Sequence, residues 1–440
     1  MNDVSEQLWT WTAHVVAMYF ATGRSPREAM ASSVVLRVAT SSERAAVAAH
    51  AAATVTALRR LETTLGGPGL DGRSVPDRAL ALVLGSAVER DLLLADGAAR
   101  RFVARCGEPA PEFARLLARP SVPIDEPAPA FAVRHSLPDW FVPRVRADFG
   151  GEAEVVCRAL AGPAPRTVRA NLLRVASRAE LAAELAAEGV PTRPGPFAPT
   201  ALHVDGDADL FATAAYARGA FEQQDEASQL CALVVAPPPG GKVLDLCAGS
   251  GGKTLALAAA LQNRGQVLAS DVHRGRLDAL RQRLRHAGAQ NVQCAWSRED
   301  EPAAAVREFA PHADRIVVDA PCSGTGSWRR RPEARWTLDR RSLEALRATQ
   351  AKLLDRAAAA LRPGARLVYA TCSLLADENE RQVEALRQRH PELEVVRLAE
   401  ILGGAMALPI ADATGTFLSL RPDRHGCDGF FAAVLRRPRR

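Results

Sequence analysis

Four short, largely apolar runs, residues 243–246, 266–270, 315–318 and 366–370, are separated by longer stretches of helical spacing. Strands so uniformly apolar have no face to offer water, so both faces must be covered. The intervening helices are the cover, and the alternation predicts a parallel sheet with helices on both sides. In such sheets ligands gather beyond the carboxyl ends of the strands. Side chains just past those four runs are therefore the first place to look for chemistry.

At 440 residues the chain exceeds one typical core. Residues 1–125 are rich in Ala, Leu and Arg at helical spacing, as in 43–61 and 77–94, with a turn cluster at 66–69, and predict an all-helical domain. A proline-rich passage, 120–138, reads as a linker. Residues 126–215 combine that linker with an α+β segment: a strand over 166–174, a helix over 178–189 and a loop over 191–199. The predicted sheet domain occupies 216–440.

The net charge is +6 and the positive charge is nearly all arginine. That suits a polyanionic partner, and equally the composition of a GC-rich genome. Eight cysteines, without a C-x-x-C pair, are too sparse for a disulfide framework and lack zinc-site spacing. A reducing compartment is expected. The acidic start, Met1 to Gln7, and an apolar stretch broken by Thr and His fit neither a signal peptide nor a membrane span. A cytoplasmic protein is expected.

The first run leads into Cys247-Ala248-Gly249-Ser250-Gly251-Gly252-Lys253-Thr254, a glycine-rich turn that opens a helix. Glycines let a ligand approach the backbone, and the helix start offers free N–H donors. The dinucleotide pattern is out of register, and a Walker loop is excluded by Cys247 where glycine is required. Nineteen residues after Gly252, Asp271 ends the second run, where an acid can accept bonds from a ribose diol or simply cap a helix. Turn and acid together indicate a nucleoside-containing cofactor.

Two cysteines follow the other two runs: Cys322 in Asp319-Ala320-Pro321-Cys322 and Cys372 in Thr371-Cys372-Ser373. A single cysteine is usually an inert small core residue. Two at strand ends, on the edge that holds the glycine turn, are not well explained that way.

Together these residues resemble the RsmB/NOP2/Sun family of RNA cytosine-5 methyltransferases, from about His135 to Leu435. Further motifs agree in order. His135-Ser136-Leu137-Pro138-Asp139-Trp140 resembles the entry segment, and Arg169-Ala170-Asn171-Leu172-Leu173-Arg174 the RNA-contacting strand. Gln224-Asp225-Glu226-Ala227-Ser228-Gln229 resembles the Q-D-x-A-S-Q stretch, and Asp428-Gly429-Phe430-Phe431 the closing strand. The resemblance implies a Rossmann-like class I methyltransferase domain with a mixed seven-stranded sheet, using S-adenosyl-L-methionine. It makes Cys372 the nucleophile and gives Cys322 a part in product release. Cys247, Ala248, Gly249, Ser250, Gly251, Gly252, Lys253, Asp271 and Asp319 would line the cofactor and base pockets.

The chemistry needs such a set. C5 of cytosine is too electron-poor to take a methyl group until a thiolate adds at C6. Asp319 near N3 would polarise the ring, and Lys253 would lower a thiol pKa or contact the base. DNA enzymes attack with the Pro-Cys thiol and lack the Thr-Cys partner, so RNA is the expected partner, unpaired where it is modified. Ribosomal RNA is expected ahead of transfer RNA, with a monomeric protein, no metal and no membrane. A related enzyme with another substrate, or a catalytically silent RNA-binding assembly factor, are the alternatives.

Two positions depart from the family. The turn reads Cys-Ala-Gly-Ser-Gly-Gly-Lys instead of C-A-A-P-G-G-K, and Trp296 stands where a carboxylate commonly holds the adenine amine. An indole can stack but cannot accept that bond, which leaves Ser297 or a main-chain carbonyl. Trp328-Arg329-Arg330-Arg331-Pro332-Glu333-Ala334-Arg335-Trp336, with Arg340 and Arg341, is expected either to contact RNA or to form a solvated basic loop. The tail Arg436-Arg437-Pro438-Arg439-Arg440 reads either as a disordered basic end or as a source of nonspecific affinity. The N-terminal helices fit a NusB-like domain by position and helicity, and fit equally well helical packing with no RNA role.

Overall fold

The computed structural model describes residues 4–64, 75, 78–79, 81–83 and 128–439. The 66–69 turn, Cys106, most of the 77–94 helix, residues 120–127 of the expected linker and Arg440 lie outside the described residues. The chain divides into two compact units, Met1–Pro163 with Trp328–Asp339, and Ala164–Ser327 with Arg340–Arg440.

The first unit is helical throughout its described part: α1 (Val4–Thr22), α2 (Pro26–Ser32), α3 (Ser41–Thr56), α4 (Leu58–Thr64), α5 (Ala128–Arg134), α6 (Val142–Phe149) and α7 (Ala153–Ala161). Ser25 with Glu28, and Thr40 with Glu43, form capping boxes that satisfy the free N–H groups starting α2 and α3. Trp9, Trp11, Val15, Val16, Leu36 and Val47 share one buried cluster. α5 occupies part of the expected linker, because Phe131 and Ala132 there are buried and hold that turn of chain in helix.

The second unit opens with an antiparallel sheet in the order β2-β3-β1-β4, built from β1 (Thr167–Ala170), β2 (Thr192–Pro194), β3 (Ala201–Val204) and β4 (Phe221–Gln223). Helix α8 (Arg178–Ala187) lays Leu181 and Leu185 against Val168, Leu202 and Phe221. The edge strand β2 falls inside the expected 191–199 loop. Its pairing with β3, Thr192 to Val204, is long-range and leaves no local pattern.

The main sheet runs β10-β12-β9-β8-β5-β6-β7, with short β11 (Leu418–Leu420) also paired to β12. Strands β5 (Lys242–Asp245), β6 (Gln266–Asp271), β7 (Val292–Trp296), β8 (Arg315–Asp319) and β9 (Arg366–Thr371) are parallel. β10 (Glu394–Val396) and β12 (Phe430–Arg436) extend it: β12 runs antiparallel to both β9 and β10. This is the mixed seven-stranded sheet expected, with β11 as an appendage. α10 (Gly252–Ala260), α11 (Arg274–Ala287), α13 (Arg340–Ala360) and α14 (Glu380–Arg389) are among its helices, with α9 (Glu226–Val235) ahead of β5 and α12 (Ala304–Phe309) ahead of β8. Two apolar clusters lie on the sheet's two faces, one centred on Val243, Val317 and Val368, the other on Leu244, Ile316 and Leu367. β5 sits between β6 and β8, so strand order reverses there, and a crevice at the carboxyl ends follows from the topology. Among the described residues no helix is long and apolar enough to cross a membrane.

Candidate active site

Register places the chemistry. Asp245 pairs with both Ala269 and Val317, Asp271 with Trp296, and Asp319 with Ala370 two residues before Cys372. The ends of five parallel strands thus bring Cys247–Lys253, Asp271, Trp296, Asp319, Cys322 and Cys372 to one edge of the sheet.

The glycine turn is held open. Gly249 and Gly251 have φ of 55° and 89°, which side-chain-bearing residues adopt at a cost. A Cβ on Gly249 would meet nothing within 4 Å, whereas one on Gly251 would lie 2.1 Å from Leu280 Cδ1. The first glycine therefore leaves room for a ligand and the second lets α11 pack. Asp271 braces the turn by accepting the N–H of Gly249 at 2.8 Å and that of His273 at 2.8 Å. Both of its oxygens keep lone pairs for a diol. Below the turn, buried Asp245 accepts the Thr254 hydroxyl at 2.7 Å through Oδ2, while Oδ1 has no hydrogen-bond partner. Burial pushes this carboxyl up to about 7, against the Thr254 bond, which lowers it. Burial likewise raises the Cys247 thiol, helped by the neighbouring carboxylates, so Cys247 is a neutral wall of the turn.

The two strand-end thiols meet: Cys322 Sγ and Cys372 Sγ are 3.4 Å apart. Beside them Lys253 Nζ donates to Asp319 Oδ2 at 2.7 Å and lies 4.8 Å from the centre of the Phe430 ring. Burial alone would lower the Lys253 pKa, but Asp319 more than offsets it and keeps the ammonium charged. The thiols are unequal. The hydrogen bond from Cys322 lowers the Cys372 pKa against the opposing effect of burial, and Lys253 adds to the lowering. The same bond, then burial, raises Cys322 well above the ordinary thiol. The contact thus moves the two thiols apart, Cys372 downward and Cys322 upward.

At the expected adenine end, the Trp296 indole N–H donates to Val272 O at 2.9 Å and the Arg274 guanidinium stacks 3.9 Å from its ring centre. The Ser297 hydroxyl lies 2.8 Å from Ser270 Oγ and accepts the Ala303 N–H at 3.0 Å.

Parts of the two stretches expected to meet RNA are interior, while Leu172 and Arg174 remain exposed. β1 is buried along its length. Arg169 donates to Gln224 Oε1 at 2.5 Å and Gly252 O at 2.8 Å, and Asn171 to Gly219 O and Ala287 O, so both tie the small sheet to the glycine turn and α11. In 328–336, Trp328 and Arg335 are among the largest fully buried side chains. Arg335 donates to the carbonyls of Thr56, Ser136 and Leu160, and Trp336 to that of Val55, all within the helical unit. Aromatics spaced among arginines suit a core as well as a base stack, and the burial decides it. Arg330, Arg331, Arg340 and Arg341 remain exposed.

Glu378, Asn379, Gln350, Ser323 and Ser373, which hold the thiol loops, were not singled out by sequence. Ala376-Asp377-Glu378-Asn379 looks like a polar surface turn, and only its position after the Thr-Cys strand end marks it.

The model of the 16S rRNA methyltransferase RsmB/F family matches residues 232–436, and the ferredoxin-like domain of RsmF/B-like methyltransferases matches 137–210. Ribosomal RNA small subunit methyltransferase B of Xanthomonas campestris pv. campestris is 35% identical over 312 residues, 70% of this chain and 68% of that protein. This chain belongs to the RsmB/F family. A probable methyltransferase B of Bacillus subtilis is 31% identical over 73% of this chain and 72% of its own length. A methyltransferase homologue from Pyrococcus horikoshii, solved by crystallography, is 27% identical, with a TM-score of 0.60 over 70% of this chain and 98% of that one.

As a family member the chain is an S-adenosylmethionine-dependent RNA methyltransferase. The turn has room for that cofactor: open space above Gly249, beside the Asp271 carboxylate.

Proposed function

We propose that the chain methylates C5 of a cytosine in RNA, with 16S ribosomal RNA as the expected substrate, through a covalent bond between Cys372 and C6 that Cys322 helps to break. The observation that carries this is the 3.4 Å thiol pair beside the Lys253–Asp319 ion pair. A structural cysteine needs neither a second thiol in contact nor a buried ammonium.

S-adenosylmethionine supplies an electrophilic methyl group on a sulfonium. Cys247–Lys253 and Asp271 hold it, with Trp296 and Arg274 at the adenine end. Cys372, already the more acidic thiol, adds to C6 as thiolate and makes C5 nucleophilic. Lys253 and Asp319 present a charged, oriented pair to the base edge, where Asp319 polarises N3 and the amine.

Release follows from the coupling between the thiols. What raises Cys322 most is its bond to Cys372. Once Cys372 is a neutral thioether that cause disappears, and Cys322 becomes more acidic when a base is required. Having given its own proton to solvent, Cys322 as thiolate takes the C5 proton, the C5–H electron pair forms the C5–C6 double bond, and Cys372 leaves as thiolate. The target base must leave its stack to reach the pair, so unpaired RNA is the substrate form.

Labelled S-adenosylmethionine, incubated with 16S ribosomal RNA or transfer RNA, tests this in wild type, Cys372→Ala and Cys322→Ala. Cys372→Ala should lose methylation and Cys322→Ala should accumulate a denaturant-stable RNA adduct. Methylation that survives Cys372→Ala would remove the nucleophile assignment, and transfer RNA labelled in preference would move the substrate.

A further inference from the structure

We infer that Glu378 and Asn379 are positioning residues, one for each thiol, and that Glu378 also holds the proton on Cys322. This rests on the two-thiol chemistry proposed above.

Both residues are buried, Glu378 with no exposed surface. Glu378 grips the Cys322 loop from both sides. Its Oε1 accepts the Ser323 N–H at 2.8 Å, and Oε2 accepts the Ser323 hydroxyl. The Gln350 amide donates to the same Oε1 at 2.9 Å and to Pro321 O at 3.0 Å, which ties the residue before Cys322 to the same carboxylate. Asn379 does the equivalent for Cys372. Its Oδ1 accepts the Thr371 hydroxyl at 2.6 Å and its Nδ2 donates to Ser373 O at 2.9 Å. The two grips are joined, since Ser323 Oγ lies 3.2 Å from Ser373 Oγ. Tyr369 anchors the turn itself by donating to Glu378 O at 2.5 Å.

A fully buried carboxylate whose side-chain partners are neutral donors is expensive to keep. A glutamine of the same shape would avoid that cost, keeping its oxygen on the Ser323 N–H and the Gln350 amide and turning its NH2 to the Ser323 hydroxyl. What the charge adds is an electrostatic bias against a thiolate at Cys322, the nearer of the two loops. Glu378 is among the groups that raise both thiols, and its carboxylate bonds directly to Ser323, next to Cys322.

The test isolates that bias. In a Cys372→Ala background the thiol–thiol bond is gone, and the pH midpoint of Cys322 alkylation by iodoacetamide, read on its peptide by mass spectrometry, reports burial and Glu378. Adding Glu378→Gln should lower the midpoint by about one pH unit, whereas Glu378→Asp, which keeps the charge, should leave it within about 0.3 unit. In the otherwise wild-type chain, Glu378→Gln should lower kcat at least about tenfold with KM for RNA changed less than about threefold. An unchanged midpoint in Glu378→Gln overturns the inference. If Glu378→Gln does not fold, Ser323→Ala takes its place: it should lower kcat about tenfold at unchanged KM, and an undiminished kcat overturns the positioning role. Alkylation needs no RNA, so a failed adduct trap would remove the thiol chemistry without touching this result.

Discussion

Gly326→Ala is the sharpest probe of how the thiol loops are packed. Gly326 lies where three segments cross: its N–H donates to Cys372 O and its carbonyl accepts the Gly429 N–H, both at 2.9 Å. A Cβ there would lie 2.1 Å from Gly429 O and 2.6 Å from its carbonyl carbon, so the two backbones must part by more than an ångström. Neither neighbour is a flexible side-chain end that could swing away. Overpacking of this kind costs about 1–3 kcal/mol, and losing one of the two main-chain bonds adds about 0.5–1.5 kcal/mol. A loss of about 2–4 kcal/mol in the sheet unit is expected by urea unfolding. Displacement by that distance of the Gly326 segment, which follows Cys322 and bonds to Cys372 O, should also lower methyl transfer on the order of 100-fold in whatever protein stays folded. Gly249→Ala is the comparison. At φ 55° it pays strain of about 1–2 kcal/mol, but its Cβ meets nothing within 4 Å. Its methyl should weaken cofactor binding more than it weakens the fold. If Gly326→Ala proves no more destabilising than Gly249→Ala and keeps full activity, the packing account of the thiol pair is wrong.

Two further outcomes are expected. Trp296→Ala should weaken S-adenosylhomocysteine binding about tenfold by calorimetry while Trp296→Phe stays within about threefold, since a ring without the indole N–H still stacks; unchanged affinity in Trp296→Ala would place adenine elsewhere. Asp245, raised to about 7 by burial, keeps a proton that an unfolded carboxyl of about 3.9 has released, so its contribution to stability falls as pH rises between those two values. Asp245→Asn should flatten that part of the pH–stability curve measured by urea unfolding, and an unaltered slope would show that the folded carboxyl ionises normally.

How far the sequence could be read depended on whether a feature is local. β5, β6, β8 and β9 begin and end within a residue or so of their apolar runs. The reason is that a strand buried on both faces must be apolar throughout. The 191–199 loop hid β2 because an edge strand with two exposed residues carries no such run. Arg169 and Arg335 were misplaced for a related reason. A guanidinium meets solvent, phosphate or a ring of carbonyls with the same chemistry, and only the three carbonyls around Arg335 show which.

By itself, the sequence determined the parallel sheet, the edge on which its ligands lie, and the residues carried there: the glycine turn, Asp271, Asp319 and the two strand-end cysteines. Those follow from periodicity and from residue type at a strand end, which neighbours in the chain specify. The tertiary structure decided what depends on residues far apart in sequence. It set the contact of Cys322 with Cys372 across fifty positions, and with it the lowering of one thiol and the raising of the other. It also placed a carboxylate from a polar turn behind one thiol, and drew Trp328 and Arg335 into a helical core. A thiol's acidity is a property of its surroundings, and those surroundings come from distant segments that only folding brings together.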